Sequence, residues 1–403
     1  MVWGDLVNVW KRPLIGVFVS HSVYEKLIHQ DNRFQSYHRF YHLVRASNDV
    51  DVTIFFFSSF TFNCEQRTIL GTFYDHEKGM WRTDLFPLPD VLYDRRGAGA
   101  AKSKIRVARI LACLEEYGVQ KINTRRYFNK WDVYLALLAS PTVCQYLPAT
   151  RFCNGMEDLQ QFVEQYPDLY LKGVRGRKGK RVMRITLVPQ LGIEYAFHQE
   201  QAESGIVSSW DELWKLIQGF FKGKPFIMQE AINLLRQEGR LVDFRAELQR
   251  NGEGNLVITG ISARIGLPGS PVTIHSDAVP MEVYLRKYLK NQEETVSSWV
   301  EQIHQFLIQT YLALEATYGY FGEIGIDFGL DPQGRIWFIE PNAKSAKVSL
   351  SKAFSEDVYD QAFLNPLAFA KYLYQQRCVS PVSPRIGNPK STPPTHKGNE
   401  TTG

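Results

Sequence analysis

Short apolar runs alternate with longer polar stretches over the first third of the chain. Residues 14–20 and 52–57 are rich in β-branched and aromatic side chains, which favours two strands. The polar stretch at residues 24–46 between them is compatible with a helix, and residues 102–117 place apolar side chains at helical spacing. This order predicts an α/β unit over residues 1–120.

Beyond residue 120 the pattern predicts a larger unit, residues 121–378, that is rich in antiparallel hairpins. Strands are expected at residues 169–172, 182–188, 226–230, 243–249, 256–264 and 323–328, and helices at 130–138, 209–221 and 296–317. This mixture indicates an α+β fold. Residues 379–403 contain five of the 19 prolines and almost no large apolar groups, so this tail is expected to be disordered.

Composition and charge argue against several classes of protein. The net charge of +5 over 403 residues is too small to indicate a nucleic-acid partner by itself. The most apolar stretch, residues 52–62, is much shorter than the ~20 residues needed to cross a bilayer, and no secretory signal is recognised. The five cysteines are scattered and never spaced as C-x-x-C, which argues against a disulfide framework or structural zinc and favours a reducing, cytoplasmic location.

A glycine-rich basic segment interrupts the predicted strands. Six of the ten residues from Lys172 to Arg181 are basic, and three glycines lie among them. The spacing is not that of a Walker A loop, because five residues separate Gly173 from Gly179 and Lys180 is followed by arginine. The segment has no aromatic residue on which a base could stack, so nucleic acid is an unfavoured partner and a hairpin tip that attracts phosphate is preferred.

Acidic and amide side chains are concentrated in a strand–turn–strand pattern at residues 321–342. If Leu330 pairs with Arg335, Asp327 lies opposite Phe338 and diagonal to Glu340, and the period of two places Asp327, Glu340 and Asn342 on one face. Diagonal neighbours are ~7–8 Å apart, which leaves room for a magnesium ion between the carboxylates. The alternative is an ordinary hairpin whose carboxylates face solvent.

Together these motifs resemble the ATP-grasp superfamily and, within it, the bacterial YheC/YheD-type endospore coat-associated proteins. The similarity covers about residues 14–375 and is carried, in order, by residues 89–95, 129–130, 170–172, 239–245, 263–266 and 321–342. The resemblance implies an ATP-grasp fold preceded by an N-terminal α/β domain of the pre-ATP-grasp kind, with a lid subdomain at about residues 150–230.

The resemblance also implies a role for individual residues. The phosphates would be contacted by Lys130, Lys172 and the lid segment that contains Lys180, and the adenine by the backbone of Gln229, Glu230, Ala231 and Ile232. Asp243 would lie near the ribose, Arg245 and Arg264 would be catalytic cations on the phosphate side, and Asp327, Glu340 and Asn342 would bind magnesium. The alternatives are that Lys130 is merely solvated and Lys172 merely ends its strand. The arginines could instead form structural salt bridges to Glu247 or Asp243.

Enzymes of this fold generally join a carboxylate to an amine through an acyl phosphate made from ATP. The resemblance therefore implies an ATP- and Mg²⁺-dependent ligase acting on a small-molecule or peptide carboxylate in the bacterial cytoplasm. Gly173 and Arg181 alter the lid relative to the family pattern, which favours the alternative of a non-catalytic spore-coat protein with coat proteins as partners, whereas the intact metal triad favours the ligase. Residues 273–278 also differ, which bears on the substrate, and Gln229 replaces a glutamate but leaves a backbone contact with adenine possible. The basic pair Arg95 and Arg96 would suit an acidic substrate.

Overall fold

The computed structural model describes residues 12–97, 101–176, 181–198, 202–268, 273 and 277–379. The first unit is a seven-stranded sheet in the order β3-β4-β2-β1-β6-β7, with β5 paired to β4. Its strands are β1 (Leu14–Phe18), β2 (Thr53–Phe57), β3 (Phe62–Asn63), β4 (Thr68–Asp75), β5 (Met80–Pro87), β6 (Val91–Asp94) and β7 (Gln120–Lys121). Its helices are α1 (His21–Ile28), α2 (Tyr37–Asp49) and α3 (Ala101–Glu116).

Parallel pairing places β1 between β2 and β6. All five residues of β1 are buried, as expected for a parallel strand that is covered on both faces. The single helix expected over residues 24–46 is two helices, α1 and α2, and the hairpin of β4 and β5 was not predicted. The carboxyl end of β6 lies at the edge of this sheet that faces the rest of the molecule, because its next residues contact the second half of the chain.

A second, antiparallel sheet has the order β12-β11-β10-β9-β13-β8. It consists of β8 (Thr150–Phe152), β9 (Asp168–Gly173), β10 (Val182–Val188), β11 (Gly192–His198), β12 (Ala202–Val207) and β13 (Phe226–Glu230). Helices α4 (Lys130–Leu138), α5 (Met156–Gln165) and α6 (Trp210–Phe221) precede or accompany it. Ser209 accepts the Glu212 N–H at 3.3 Å, so the cap expected at the start of α6 is present.

A third sheet, in the order β17-β16-β15-β18-β19, has β14 paired to β15. Its strands are β14 (Arg236–Gln237), β15 (Arg240–Arg250), β16 (Leu256–Ile265), β17 (Asp277–Pro280), β18 (Glu323–Leu330) and β19 (Ile336–Asn342). One face packs Phe244, Ile326 and Phe328 into a core with α8 (Glu293–Tyr318) and α7 (Met281–Tyr288). The alternate residues therefore point to the opposite face, which carries the charged side chains described below.

The last helices return to the first sheet. Helix α9 (Val348–Ala353) packs on β16 and β17, and α10 (Glu356–Val379) packs against α2. Apolar residues of α10, such as Phe363 and Leu367, share a core with Val17 and Leu43 of the first unit. The helix runs to Val379, and the tail predicted beyond it lies outside the described residues. Within the described ranges, no helix combines the length and the apolar character that a membrane span requires.

Two cysteines form a disulfide that the sequence did not predict. Cys64, which follows β3, is bonded to Cys113 on α3, 49 residues away. The spacing argued against a disulfide framework, yet this one disulfide is present, because the fold brings together residues that have no recognisable spacing along the chain.

Candidate functional site

The predicted metal ligands converge, but in a register that differs from the one expected. Leu330 pairs with Ile336, and a bulge at Ile339 then brings Glu340 directly opposite Asp327. The expectation that Asp327 lies opposite Phe338 is wrong. Residues directly opposite each other have Cβ atoms ~4.5–5.5 Å apart, so the two carboxylates are closer than the diagonal arrangement would allow.

The loop between β18 and β19 explains this register. Asp331 accepts the N–H groups of Gln333 and Arg335 at 3.1 and 2.9 Å, which closes a wider loop than the one assumed from the sequence. Gly334 has a φ of +84°, which a glycine adopts without strain. The loop therefore lengthens by one residue on the β19 side. The bulge adds a second one-residue shift, so that the same alternate residues of β19 as expected share the face of Asp327.

Two arginines hold the carboxylates of this face. Arg245, opposite Asp327 on the neighbouring strand, makes a two-pronged contact with it, in which Nη2 donates to Oδ2 at 2.7 Å. Arg264 donates to both oxygens of Asp243 at 2.7 and 2.6 Å, and its Nη2 lies 3.1 Å from Asp327 Oδ2. Burial favours the neutral acid, but the two guanidinium groups outweigh it and hold the pKa of Asp327 below its usual range.

The salt bridge considered as an alternative for Arg264 is thus present, with Asp243 as its partner, whereas Arg245 pairs with Asp327 instead of Glu247 or Asp243. Gly325 makes room for this pairing. A Cβ at Gly325 would lie 3.2 Å from Cδ of Arg245, so the arginine side chain passes over a position without a side chain. The pairs place both arginines next to the candidate metal ligands.

Two lysines approach the same face from the other side. Lys130, the first residue of α4, contacts the carboxylate of Glu340, and Lys172 at the end of β9 donates to the Gln229 side chain. Burial, reinforced by the charge of Lys130, lowers the pKa of Lys172 to about 8. Lys130 in turn keeps the pKa of Glu340 below its usual range against the opposing effect of burial.

The cleft between β13, α4 and β19 has a largely apolar lining next to these charges. Lys172 and Gln229 form part of its wall, and the apolar part is contributed by Val133, Leu147, Ile227 and Phe338. An apolar cleft with a few polar groups at one end suits a flat heterocycle attached to an anionic chain. Gln229, expected to meet adenine, lies in this wall.

The other residues of the expected adenine strand lie at the edge of the cleft. The Glu230 N–H donates to the Ala149 carbonyl at 3.0 Å, and the Glu230 carboxylate accepts the Ala149 N–H at 2.7 Å. Ala231 N–H donates to the Asp168 carbonyl at 2.9 Å. The Ile232 carbonyl accepts the Leu234 N–H at 2.9 Å. The side chain of Glu230 is thus structural, and an adenine contact from this strand would have to come from backbone.

The candidate magnesium ligands supply oxygen donors of the kind that a hard cation prefers. Asp327, Glu340 and Asn342 share one face, and the Nδ2 atom of Asn342 is buried without a hydrogen-bond partner. In the described part of the chain, no group of three or more His, Cys, Asp or Glu side chains is placed to hold a metal ion. The present set is of another kind, because it has two carboxylates and one amide. The donors fit magnesium, provided that Arg245 releases Asp327.

Part of the predicted lid is outside the described residues. Lys180 falls there, as do residues 274–276 of the stretch that departs from the family pattern. At the base of the lid, Gly173 N–H donates to the Arg181 carbonyl at 3.0 Å, and Arg181 has a φ of +89°. Thr273 donates to Asp243 at 2.6 Å, which ties this stretch to the charged face.

A second group of charged residues was recognised only in part from the sequence. Arg95 and Lys347 both contact Glu323, and Asp94 is surrounded by Arg96 and Lys344. Burial lowers the pKa of Lys344 to about 7, although Asp94 opposes this effect. The signal that could have revealed the two lysines is their position, because they follow Asn342 by two and five residues in the sequence.

Comparisons with known proteins identify a family and several relatives that this chain resembles. A family model described as YheC/D like ATP-grasp matches residues 118–373. The endospore coat-associated protein YheD of Bacillus subtilis (strain 168) is 24% identical over 378 residues, covering 92% of this chain and 80% of YheD. YheC of the same organism is 22% identical over 351 residues, covering 85% of this chain and 94% of YheC. The crystal structure of D-cycloserine synthetase DcsG matches with a TM-score of 0.50 at 13% identity, covering 89% of this chain and 99% of DcsG.

Proposed function

The chain belongs to the YheC/D-like ATP-grasp family, and from this membership we propose that it is an ATP- and magnesium-dependent ligase that activates a carboxylate as an acyl phosphate for attack by an amine. The α+β ATP-grasp fold and the YheC/YheD resemblance expected from the sequence are both confirmed. The observation that carries the proposal is the convergence of carboxylates, arginines and lysines on one face of the third sheet, beside an apolar cleft.

In this proposal the phosphates of ATP lie between the two sets of charges. Lys130 and Lys172 bind them from the lid side, and Arg245 and Arg264 bind the γ-phosphoryl group. Asp327, Glu340 and Asn342 hold magnesium, which when bound neutralises charge on the phosphates. The apolar cleft beside Gln229 takes the adenine, and Asp243 is placed to reach the ribose.

The reaction then needs positioning and charge stabilisation more than a side-chain nucleophile. A substrate carboxylate oxygen attacks the γ-phosphorus, and ADP leaves with the electron pair of the broken P–O bond. The ammonium group of the second substrate loses a proton, and the neutral amine attacks the acyl carbon. Phosphate departs with the electron pair of the broken C–O bond, and the nitrogen releases a proton as the amide forms. Arg245 and Arg264 stabilise the charge that develops on the transferring phosphoryl oxygens.

The ion pairs of the site suggest that its charged side chains change partners when ATP and magnesium bind. Lys130 contacts Glu340 and Arg245 contacts Asp327, so two of the expected phosphate-binding cations are paired with expected metal ligands. Arg264 is paired with Asp243. With magnesium and ATP both bound, Asp327 and Glu340 would have the metal as their partner, and Arg245 and Lys130 would have the phosphates. These four charges would then stay paired, whereas a buried charge without a partner is costly.

Calorimetric titration of ATP with magnesium tests the nucleotide site. Wild-type protein should bind, and Lys172→Ala or the double change Asp327→Asn with Glu340→Gln should weaken binding by about 10- to 100-fold, since a charge-assisted hydrogen bond contributes ~1.5–3 kcal/mol. Lys215→Ala, at an exposed lysine on α6, is the matched control and should bind as wild type does. Equal affinity in all variants would remove these residues from the site.

The second candidate is a spore-coat protein that keeps the fold without turnover, and the names of the two Bacillus relatives favour it. Its partners would be coat proteins and its location the coat, whereas the ligase would act in the bacterial cytoplasm on a small-molecule or peptide carboxylate. Absence of ATP binding by well-folded wild type would select this candidate. Binding followed by ADP release with any carboxylate and amine pair would select the ligase.

A further inference from the structure

A chain of hydrogen bonds runs along the wall of the cleft that β13 provides. Thr150 on β8 lies directly opposite Gln229 on β13, and Lys172 on β9 is diagonal to Gln229 on its other side. Because the side chains of paired residues point to the same face of a sheet, these three side chains share one face. Lys172 and Gln229 line the cleft, so Thr150 is placed to act on the cleft through Gln229.

The hydroxyl group of Thr150 is left with the role of an acceptor. It donates its proton to the Pro148 carbonyl at 2.9 Å, because a carbonyl oxygen can only accept. The lone pairs of its oxygen then accept from the Gln229 side chain, whose Nε2 atom is 2.8 Å away. The amino end of the Gln229 amide is therefore directed toward Thr150.

The other end of the same amide is fixed independently. Lys172 Nζ contacts Oε1 of Gln229, and an ammonium group carries three donors and no acceptor, so it selects the carbonyl oxygen. The two ends of a glutamine amide have nearly the same shape, and only their partners decide which way the group points. Both partners of Gln229 require the same orientation.

This orientation determines what the cleft offers to a base. A carbonyl oxygen can accept two hydrogen bonds, and Lys172 occupies only one of these positions. In the proposed loaded site Lys172 turns to the phosphates, which leaves the oxygen in need of a new donor. The Gln229 side chain is 7% exposed, so an oxygen without a donor would be costly there. An amino group on the base supplies the donor, whereas a carbonyl group at the same place would set two acceptors against each other.

On the premise that the proposed nucleotide site binds ATP, we propose that Thr150 is a positioning residue for recognition of the base. Its hydroxyl holds the Gln229 amide with the carbonyl oxygen toward an exocyclic amino group. The site thereby prefers adenine to hypoxanthine, which carries a carbonyl oxygen in place of that amino group. Without the hydroxyl, and with Lys172 on the phosphates, the amide is free to turn and to offer its amino end to hypoxanthine.

Calorimetric titration of the full-length protein with ATP and with inosine triphosphate (ITP), each with saturating magnesium, tests this role. Wild type should bind ATP ~10-fold or more tightly than ITP, as expected when a buried hydrogen bond is lost. Thr150→Val keeps the shape of the side chain without its hydroxyl and should lower this ratio by about 5-fold. Thr150→Ser keeps the hydroxyl and should keep the ratio.

A glutamate at position 229 separates the orientation of the amide from a general loss of structure. A carboxylate has acceptors at both ends and no amino group to offer, so turning it changes nothing. In a Gln229→Glu background, Thr150→Val should therefore leave the ratio of ATP to ITP affinity unchanged. A purely structural role of Thr150 would change the ratio equally in both backgrounds, which would contradict the proposal.

The controls address folding and the general effect of a valine. Thr317→Val, at an exposed threonine on α8, is the matched change and should keep the wild-type ratio. Circular dichroism checks folding, and Thr150→Ala decides the question if Thr150→Val does not fold. Equal binding of ATP and ITP by wild type, or an unchanged ratio in Thr150→Val, would overturn the proposal.

Failure of the proposed function would look different. In that case neither nucleotide would bind to well-folded wild type, and the role of Thr150 would fall with the nucleotide site. Conversely, tight binding of both nucleotides without a preference would keep the nucleotide site and remove the role of Thr150.

Discussion

Replacing Lys172 by methionine should make the stability of the protein less dependent on pH. The lysine lies at the end of β9 with its ammonium group against Gln229 and near Lys130. Burial and the charge of Lys130 lower its pKa from 10.5 to about 8. The folded protein therefore holds this lysine in a place that disfavours its charged form, and methionine of similar length removes that cost.

The sign and size of the effect follow from proton binding. Between about pH 8 and 10.5 the unfolded chain binds a proton at Lys172 that the folded protein has released, so the stability of the wild type rises with pH in this window. A shift from 10.5 to about 8 corresponds to roughly 3 kcal/mol of destabilisation near pH 7, at about 1.4 kcal/mol per unit. Near pH 9.5 only ~1 kcal/mol remains.

The hydrogen bond from Lys172 to Gln229 is lost in the methionine variant at both pH values, so it cancels from the comparison. The free energy of unfolding of Lys172→Met relative to wild type should thus fall by about 2 kcal/mol between about pH 7 and 9.5. Urea titration followed by circular dichroism measures both proteins at both pH values. Lys215→Met, at an exposed lysine, should show no such change. A difference between variant and wild type that stays constant within ~0.5 kcal/mol would refute the account of Lys172.

Two further predictions concern parts of the fold away from the nucleotide. Glu323→Gln should destabilise the protein by about 3–5 kcal/mol in urea titration, because it leaves the buried Lys347 without its carboxylate. The matched change at an exposed position, Glu301→Gln, should have little effect. Equal losses of stability in the two variants would contradict the reasoning. Reduction of the Cys64–Cys113 disulfide, which joins residues 49 apart, should lower Tm by the equivalent of ~2–4 kcal/mol. Cys64→Ser should show no response to dithiothreitol, and an unchanged Tm in reduced wild type would refute this prediction.

Local patterns in the sequence indicated the chemistry of the site better than its geometry. The alternation in residues 321–342 was sufficient to place Asp327, Glu340 and Asn342 on one face. It could not reveal the wider loop, which depends on the Asp331 side chain accepting two backbone N–H groups, or the separate bulge at Ile339. Together the two shifts changed which residue faces Asp327.

Contacts between distant parts of the chain were the least predictable. Arg95 and Glu323 are 228 residues apart, and Arg245 and Asp327 are 82 apart. Both arginines were recognised as candidates from motifs, but the partner of Arg95 depends on how two sheets meet and that of Arg245 on which strands pair within the third sheet. The disulfide between Cys64 and Cys113 was missed for the same reason, since its two cysteines come from a loop and a helix that pack together only in the folded chain.

The pairing of charges on the third sheet argues for joint binding of magnesium and ATP. Magnesium alone would take Asp327 from Arg245 and leave the guanidinium buried without a carboxylate. ATP alone would bring phosphates against Asp327 and Glu340 and would add negative charge to a face that already carries it. Only the two ligands together would supply partners to both ion pairs, Arg245 with Asp327 and Lys130 with Glu340. The metal would face the carboxylates, and the phosphates would face the cations. ATP titrated in the presence of a chelator should therefore bind more weakly than with magnesium, and equal affinity would mean that these carboxylates do not face the phosphates.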